Sequence, residues 1–309
     1  MTRARGVADY GYYPPVNNNI LINPSFNVNQ RGDVVEHDTA SYGPDRWGIR
    51  GLDTVGGTMS QSTTVVDPVT GINKLVVNHN NATSDAYTYQ LIETVNLQGL
   101  YGKEMTFSFS YSDTDGSGIP KAVIASFDSS DSAKLLYNAV PKSLGDNRWA
   151  CTITLSTTDG TIPDPNEKGL DVTIYPNEGN NAPTEWRLWE TKLEVGSVVT
   201  PFIARQYGEE LALCERYFEI QDTGDQTFPL GRASQDITGA PQGGMNFRTV
   251  KRAAPTVTFS VPSSGFSLLP PDLSAGYTTI HGAQLTSSTA IAAGDITWLR
   301  YKASIDSEL

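Results

Sequence analysis

A short run of strictly alternating residues restricts the fold of this chain more than any other feature. Its large apolar members are Met105, Phe107, Phe109 and Tyr111, and the hydroxyl residues Thr106, Ser108 and Ser110 stand between them. Side chains along a β-strand point to opposite faces in turn, so this pattern predicts a strand with one apolar and one hydroxyl-bearing face. The run therefore indicates a β-sheet with one face turned to a core.

Comparable segments recur from residue 20 to about residue 205, joined by polar loops. Further strands are predicted at Ile20–Gln30, Thr58–Val66, Lys74–Asn78, Tyr87–Val95, Ala122–Phe127, Trp149–Leu155, Leu170–Tyr175 and Trp186–Val195. About nine or ten strands at such spacings are typical of a jelly-roll β-sandwich. Strands do not alternate with helices, which argues against a doubly wound fold.

One helix is predicted after this region, over Tyr207–Ile220. Leu211, Cys214 and Phe218 recur there at helical spacing and form one apolar stripe. The remainder of the chain is β-like again, and Ile296–Ile305 is predicted as its closing strand.

The predicted fold class is all-β: a jelly-roll β-sandwich, a short linking helix and a second small β-domain. The boundaries drawn from the sequence are 1–19 for an N-terminal arm, 20–205 for the jelly roll, 206–220 for the linking helix and 221–309 for the C-terminal β-domain. A β-domain of this last size is marginal alone, so we expect oligomerisation to add to its buried surface.

Composition and charge limit the partners. The chain has 14 Tyr, 10 Phe and 5 Trp, enough to build cores, and a net charge of −12 that argues against nucleic acid. Apolar stretches long enough for a membrane span are absent, and no apolar segment follows the N-terminal arginines as in a secretory signal. Cys151 and Cys214 are predicted to be small buried hydrophobes rather than a disulfide or a nucleophile, which fits assembly in a reducing cytoplasm.

The first 19 residues combine arginines, tyrosines and prolines. Their arginines and tyrosines are Arg3, Arg5, Tyr10, Tyr12 and Tyr13. Pro14 and Pro15 follow and restrict the chain to extended conformations. Either this is an unstructured terminus, or it is a docking arm that becomes ordered against a partner. We favour the docking arm.

Six stretches, in order along the chain, resemble landmarks of tailed-bacteriophage tail fibre and virion structural proteins that carry a carbohydrate-binding-module-like jelly roll. These stretches are Asn19–Gly32, Tyr42–Trp47, Gln90–Ile92 with Leu100–Phe109, Lys192–Phe202, Tyr207–Tyr217, and Arg252–Val257 with Ile305–Leu309. The third resembles the central strand pair of carbohydrate-binding modules and the fourth their closing strand.

The resemblance implies a structural subunit of a phage fibre or spike, often a homotrimer. Such a subunit is made in the host cytoplasm, displayed on the virion, anchored by its N-terminal arm to other virion proteins of the tail, baseplate or capsid, and attached to a host-surface glycan. Two alternatives stay open: a capsid decoration protein that stabilises the shell, and a polysaccharide depolymerase.

Catalytic signatures are scarce. His37, His79 and His281 lack partners at the spacing of a metal site or a catalytic triad, and no cofactor is expected. Asp113–Gly118 resembles part of a calcium loop but lacks its distal glutamate, so a hairpin turn is favoured. The short repeats typical of depolymerising tailspikes are missing, and we predict a binding protein rather than an enzyme.

Aromatic side chains that stack on sugar rings would carry glycan binding. The candidates are Tyr42, Trp47, Tyr87, Tyr89, Trp186 and Trp189. Packing in the core is the alternative for each of them. Trp186 and Trp189 are three residues apart, so a regular strand cannot place both on one face, and we expect one of them in the core.

Overall fold

A computed structural model gives the structure of the protein. It describes residues 18–32, 34–37, 41–51, 60–79, 86–114, 119–127, 134–137, 139–157, 160, 162–165, 167–176, 185–223, 228–232, 242–260, 274–276, 278–286, 296–299 and 301–308. The candidate anchoring residues Arg3, Arg5, Tyr10, Tyr12 and Tyr13 lie outside these ranges, as do the glycine-rich residues 115–118 of the calcium-loop-like stretch.

The first part of the described chain consists mainly of strands. They are β1 (Val34–His37), β2 (Ser41–Tyr42), β3 (Gly48–Gly51), β4 (Ser60–Val66), β5 (Asn73–His79), β6 (Ala86–Glu93), β7 (Glu104–Asp113), β8 (Lys121–Phe127), β9 (Lys134–Tyr137), β10 (Lys142–Gly145), β11 (Arg148–Thr154), β12 (Lys168–Tyr175) and β13 (Glu185–Val195). A 3-10 helix, Thr94–Leu97, follows β6. Seven strands form one antiparallel sheet in the order β1-β4-β5-β13-β7-β11-β10, and six form a second in the order β2-β3-β6-β12-β8-β9.

The two sheets enclose one apolar core. Phe107 and Trp186 enter it from the seven-stranded sheet, and Ile124 and Val172 enter it from the six-stranded sheet; all four are fully buried. Fully burying a side chain of this kind contributes about 1.5–3 kcal/mol. The predicted all-β, jelly-roll sandwich is confirmed.

The alternating run Met105–Tyr111 lies in strand β7. Its apolar face enters the core, as predicted, but its hydroxyl face is also buried. Arg148 lies over that face and donates hydrogen bonds to the hydroxyls of Ser108 at 2.7 Å and Ser110 at 3.3 Å. A layer of polar contacts therefore covers the outside of the seven-stranded sheet next to β7.

The predicted strand Ile20–Gln30 is absent, because a turn occupies this segment. Asn23 and Phe26 both have positive φ, at 54° and 56°. The Asn23 side chain holds the turn by donating to the carbonyl oxygens of Val28 at 2.7 Å and Asp45 at 2.9 Å. Asparagine tolerates this left-handed backbone better than most residues, and its side-chain bonds replace those of a sheet.

Before this turn, the chain runs antiparallel to β13. The Ile20 amide donates to the Leu193 carbonyl at 2.9 Å, and the Asn18 amide group donates to the carboxylate of Glu194 at 3.0 Å. Glu194 is fully buried and also accepts the backbone N–H of Thr200 at 2.9 Å. Burial alone would raise the pKa of Glu194, but hydrogen bonds from Thr200, Lys192 and Asn18 outweigh it and lower the pKa.

Glu194→Gln is expected to cost roughly 1–2 kcal/mol of stability at neutral pH, because it removes charge-assisted hydrogen bonds. A carboxyl with a lowered folded-state pKa stabilises the fold above its unfolded pKa of about 4.3, and this contribution is lost as the pH falls through the folded value. The difference between wild type and variant should therefore shrink at acid pH. Urea denaturation at pH 7 and pH 3 measures it, with Glu185→Gln in an exposed ion pair as the control. A difference that does not change with pH would contradict the prediction.

After β13 the described chain forms one α-helix and eight further strands. They are α1 (Tyr207–Glu215), β14 (Phe218–Asp222), β15 (Phe228–Arg232), β16 (Gln242–Asn246), β17 (Thr256–Ser260), β18 (Ser274–Gly276), β19 (Gly282–Thr286), β20 (Ile296–Leu299) and β21 (Lys302–Asp306). The strands form three small sheets in the orders β14-β21-β17, β15-β20 and β16-β19-β18. None of the helices described here has the length and hydropathy needed to span a bilayer.

Two sequence expectations change in this part. The helix ends at Glu215, and Phe218 belongs to β14, where its backbone pairs with Asp306. The closing segment Ile296–Ile305 is two strands in different sheets, β20 and β21, rather than one. Cys214 is fully buried on the helix and Cys151 is buried in β11, and both are free, as predicted. Burial raises the pKa of the Cys151 thiol to about 12, which makes it a weak nucleophile.

The jelly roll and the C-terminal strands meet at a junction of buried charges. Arg46, 1% exposed, forms an ion pair with Glu308, and its guanidinium lies 3.6 Å from the centre of the Tyr217 ring. Glu93, fully buried on β6, accepts hydrogen bonds from Tyr217 at 3.0 Å and from Arg216 at 3.2 Å. These pairs connect residues far apart in sequence. The four domain boundaries drawn from the sequence stay predictions.

Candidate functional site

The outer face of the six-stranded sheet carries a group of tyrosines. Along β6, Ile92 enters the core while Tyr87 and Tyr89 point to the opposite face. Tyr42 on β2 and Tyr175 on β12 lie on the same outer face. All four side chains are half-buried.

Each of these tyrosines contacts the next one across the sheet. We call the four, in their spatial order Tyr42, Tyr89, Tyr87 and Tyr175, the tyrosine row. The ring centres are 6.4 Å apart between Tyr42 and Tyr89 and 6.2 Å between Tyr89 and Tyr87. The last step, from Tyr87 to Tyr175, is 4.8 Å. Offset or tilted ring pairs at such distances are favourable, so neighbouring rings hold each other in place.

A glycine makes the first of these contacts possible. Gly48 on β3 is the register partner of both Tyr42 and Tyr89. A β-carbon added to Gly48 would overlap the Tyr89 ring. The ring therefore lies against bare backbone, and the tyrosine row crosses β3 without interruption.

Polar groups border the row on β12 and β8. Thr173, the register partner of Tyr89, donates a hydrogen bond to Asp171 at 2.8 Å. Lys121 on β8 is the register partner of Tyr175. The surface thus combines ring faces with hydroxyl, carboxylate and ammonium groups, as in sites that bind ligands with one apolar face and polar edges.

At its Tyr42 end, the row lies next to Arg31, which also pairs with Glu308 of the junction of buried charges. The guanidinium carbon of Arg31 lies 5.0 Å from the centre of the Tyr42 ring and 3.5 Å from that of Phe218. Burial raises the pKa of the Tyr42 phenol above its ordinary value, and the carboxylate of Glu308 acts in the same direction. The Tyr42 hydroxyl therefore stays protonated at any physiological pH.

The three candidate tryptophans lie elsewhere. Trp47 is fully buried, with its indole N–H donating to the Asn23 carbonyl at 2.9 Å. Trp186 is also fully buried, whereas Trp189 lies on the opposite face of β13 with the ammonium of Lys74 4.7 Å from its ring centre. One tryptophan of the pair is thus in the core, as strand geometry predicted. For Trp47 and Trp186 the alternative of core packing holds, and neither borders the tyrosine row.

Sequence reasoning missed Tyr175. It ends the predicted strand Leu170–Tyr175, in which Leu170, Val172 and Ile174 enter the core. Alternation therefore already placed Tyr175 on the outer face. The pairing of β12 with β6, which brings Tyr175 beside Tyr87, cannot be predicted from local periodicity.

The described residues contain no group of three or more histidine, cysteine, aspartate or glutamate side chains placed to hold a metal ion.

Comparison with known proteins gives distant structural likenesses. No protein-family model matches the sequence, and no curated protein matches it. The enzymatically active domain of tailspike protein 4 of bacteriophage CBA120 is similar over 58% of this chain and 22% of its own length, at 11% identity and a TM-score of 0.36.

Two carbohydrate-binding modules are similar along most of their length. The CBM22-1 xylan-binding domain of Paenibacillus barcinonensis Xyn10C matches 59% of this chain and 97% of its own, at 11% identity and a TM-score of 0.34. The C-terminal family 22 carbohydrate-binding module of Clostridium thermocellum Xyn10B matches 60% of this chain and 100% of its own, at 15% identity and a TM-score of 0.34.

Proposed function

We propose that this protein binds glycans without cleaving them, and that the tyrosine row is the binding surface. One observation carries the proposal: four tyrosines from three strands form a continuous, half-buried aromatic surface on the outside of a jelly-roll sheet. Sugar rings offer C–H-rich faces that stack on aromatic rings, and their hydroxyls bond to polar groups at the edge. Thr173, Asp171 and Lys121 supply such groups.

The sandwich fixes these rings before any ligand arrives. Each tyrosine sits on a paired strand, and three ring-to-ring contacts restrict their rotation. Less side-chain entropy is then lost on binding, which favours affinity.

Glycan binding is tested with a glycan array followed by calorimetry on the sugars that bind. Truncating a central aromatic residue of a binding site typically costs about 2 kcal/mol, which corresponds to roughly a 30-fold loss of affinity. We expect a loss of this size for Tyr87→Ala and a smaller loss for Tyr175→Ala, because Tyr175 ends the row. Tyr207→Ala is the matched control, because Tyr207 is 59% exposed on α1 and outside the row.

Unchanged affinity in a folded Tyr87→Ala/Tyr175→Ala double variant would contradict the proposed surface. Release of reducing ends from the bound polysaccharide would contradict the non-catalytic part of the proposal. The two outcomes are independent, so each part can fail alone.

We further propose that the protein is a fibre or spike subunit of a tailed bacteriophage, anchored to other virion proteins by residues 1–19. Support comes from the six ordered sequence landmarks. Imaging of the intact particle with a label on this chain tests the proposal, and its absence from purified virions would contradict it. Stripped particles that still adsorb normally to cells would favour a capsid decoration protein.

A further inference from the structure

One side chain connects the tyrosine row to the C-terminal strands. Arg31 lies just before β1, and its side chain is 13% exposed. Its guanidinium carbon is 5.0 Å from the centre of the Tyr42 ring, which ends the row, and 3.5 Å from the centre of the Phe218 ring on β14. Both distances allow attraction between a cation and an aromatic face. The same guanidinium therefore contacts the proposed glycan site and the sheet β14-β21-β17.

The carboxylates nearest this guanidinium come from the C-terminal segment. Arg31 Nη2 lies 3.4 Å from Glu308 and 3.5 Å from Asp306. Asp306 is on β21, where it pairs with Phe218. Asp45 of the jelly roll is further from the guanidinium, at 3.8 Å. A planar guanidinium that contacts carboxylates and an aromatic face has a defined orientation. The position of Arg31 therefore depends on β14 and β21.

Tyr42 is the member of the row that its own sheet holds least. Its strand, β2, has two residues, and among the described strands it pairs with β3 alone, at one edge of the six-stranded sheet. The residue opposite Tyr42 is Gly48, which has no side chain to pack against it. The other three tyrosines lie on β6 and β12, which are paired on both sides. Segments with few contacts open easily, so Tyr42 depends on a contact from outside the sheet.

We propose that Arg31 is a positioning residue of the glycan site and couples glycan binding to the docking of the C-terminal sheet on the jelly roll. With β14 and β21 in place, the guanidinium holds the Tyr42 ring beside Tyr89. When these strands move away, Arg31 loses its nearest carboxylates and the Phe218 ring, and Tyr42 loses its support. Coupling between two sites is reciprocal, so a bound glycan in turn stabilises the docked sheet. The inference rests on the proposed function, because it assigns a regulator to the tyrosine row.

Calorimetry with the sugar selected on the glycan array tests the positioning role. Arg31→Met removes the cation, and we expect about a fivefold loss of affinity. Arg252→Met is the matched control, because Arg252 is 16% exposed at the same junction, where it pairs with Glu93. It should destabilise the protein but leave affinity within about twofold. In a Tyr42→Ala background, Arg31→Met should cost no further affinity, because the ring that it positions is gone.

The outcomes separate this inference from the proposed function. Normal affinity in a folded Arg31→Met variant, an equal loss in Arg252→Met, or a further loss in the Tyr42→Ala background would overturn the positioning role alone. Unchanged affinity in the Tyr87→Ala/Tyr175→Ala double variant would show that the row is not the site, and then both proposals fail.

Hydrogen exchange tests the reciprocal effect. Saturating amounts of the same sugar should slow amide exchange in residues 218–222 and 302–306 about fivefold, the factor by which docking changes affinity. Exchange in β16, which belongs to another sheet, should stay unchanged. The slowing should disappear in Arg31→Met. Slowing that persists in this variant, that is equal in β16, or that is absent from the wild type would overturn the coupling.

A substitution on the C-terminal side approaches the coupling from the other end. Phe218→Leu removes the ring beside Arg31 without touching the row, and it should lower affinity about threefold. Phe259→Leu is the control, because Phe259 lies on β17 of the same sheet and packs edge-on against Tyr301 at 5.5 Å. It should bind the sugar normally. Equal affinities of the two variants would contradict a role of the C-terminal sheet in binding.

Discussion

Replacing Arg46 by methionine is expected to lower the free energy of unfolding by about 3 kcal/mol. The guanidinium is 1% exposed and pairs with Glu308, whose side chain is 5% exposed. Without Arg46 the Glu308 carboxylate stays buried and keeps only the longer contact of 3.4 Å to Arg31. That residual contact is why we expect the lower end of the range for a broken buried ion pair, which reaches about 5 kcal/mol.

A double-mutant cycle separates the pair from general disruption. Glu308→Met alone leaves Arg46 buried without its carboxylate, whereas Arg46→Met/Glu308→Met removes both charges. We expect the double variant to be less destabilised than the sum of the single variants by at least about 1 kcal/mol. Urea denaturation monitored by tryptophan fluorescence gives all four values.

An exposed ion pair provides the control for this cycle. Arg187 pairs with Glu185 at 2.6 Å, but its side chain is 47% exposed. Arg187→Met should cost less than about 1 kcal/mol, because solvent screens such pairs. If Arg46→Met costs no more than Arg187→Met, the charged junction does not hold the jelly roll and the C-terminal strands together.

Gly48→Ala is expected to abolish most glycan binding while leaving the protein folded. The added methyl group overlaps the Tyr89 ring, which must swing away from β3. Tyr89 is half-buried on an outer face, so the ring has room to move, and the cost to stability stays near 1 kcal/mol, the low end for overpacking. Losing the central ring of the row should reduce affinity roughly 30-fold.

The effect on binding can be distinguished from a general effect of glycine replacement. Gly208 lies in α1, and a β-carbon there meets nothing within 4 Å. Gly208→Ala should therefore bind glycans normally and gain up to about 1 kcal/mol of stability from helix propensity. Calorimetry on both variants measures the contrast. Normal affinity in Gly48→Ala would show that the position of Tyr89 is irrelevant to binding.

Local periodicity predicted the central strands well. The alternating run became β7, and Leu170–Tyr175 and Trp186–Val195 became most of β12 and β13. Short edge strands such as β2 and β9 were missed, because two to four residues are too few to show a period. The helix was drawn five residues too long: Phe218 continues the helical stripe in sequence, but its backbone pairs with β21 instead.

The candidate site was predicted only in part. The sequence indicates Tyr42, Tyr87 and Tyr89 as candidate aromatics of the jelly roll, and they lie together because β2, β3 and β6 are neighbours. Trp47 looked equally suitable, but it lies in the buried turn region beside Phe26, at 5.2 Å between ring centres. Which face of a sandwich a side chain occupies depends on strand order and register, and these are set by contacts between distant segments.

The large sequence separation of the Arg46–Glu308 pair has a consequence for synthesis. Arg46 leaves the ribosome 262 residues before Glu308. A nascent jelly roll can complete its two sheets while Arg46 still lacks its carboxylate, so this ion pair can form only after β21 has been made. The Arg46–Glu308 pair is therefore a contact that a chain folding during its synthesis makes late.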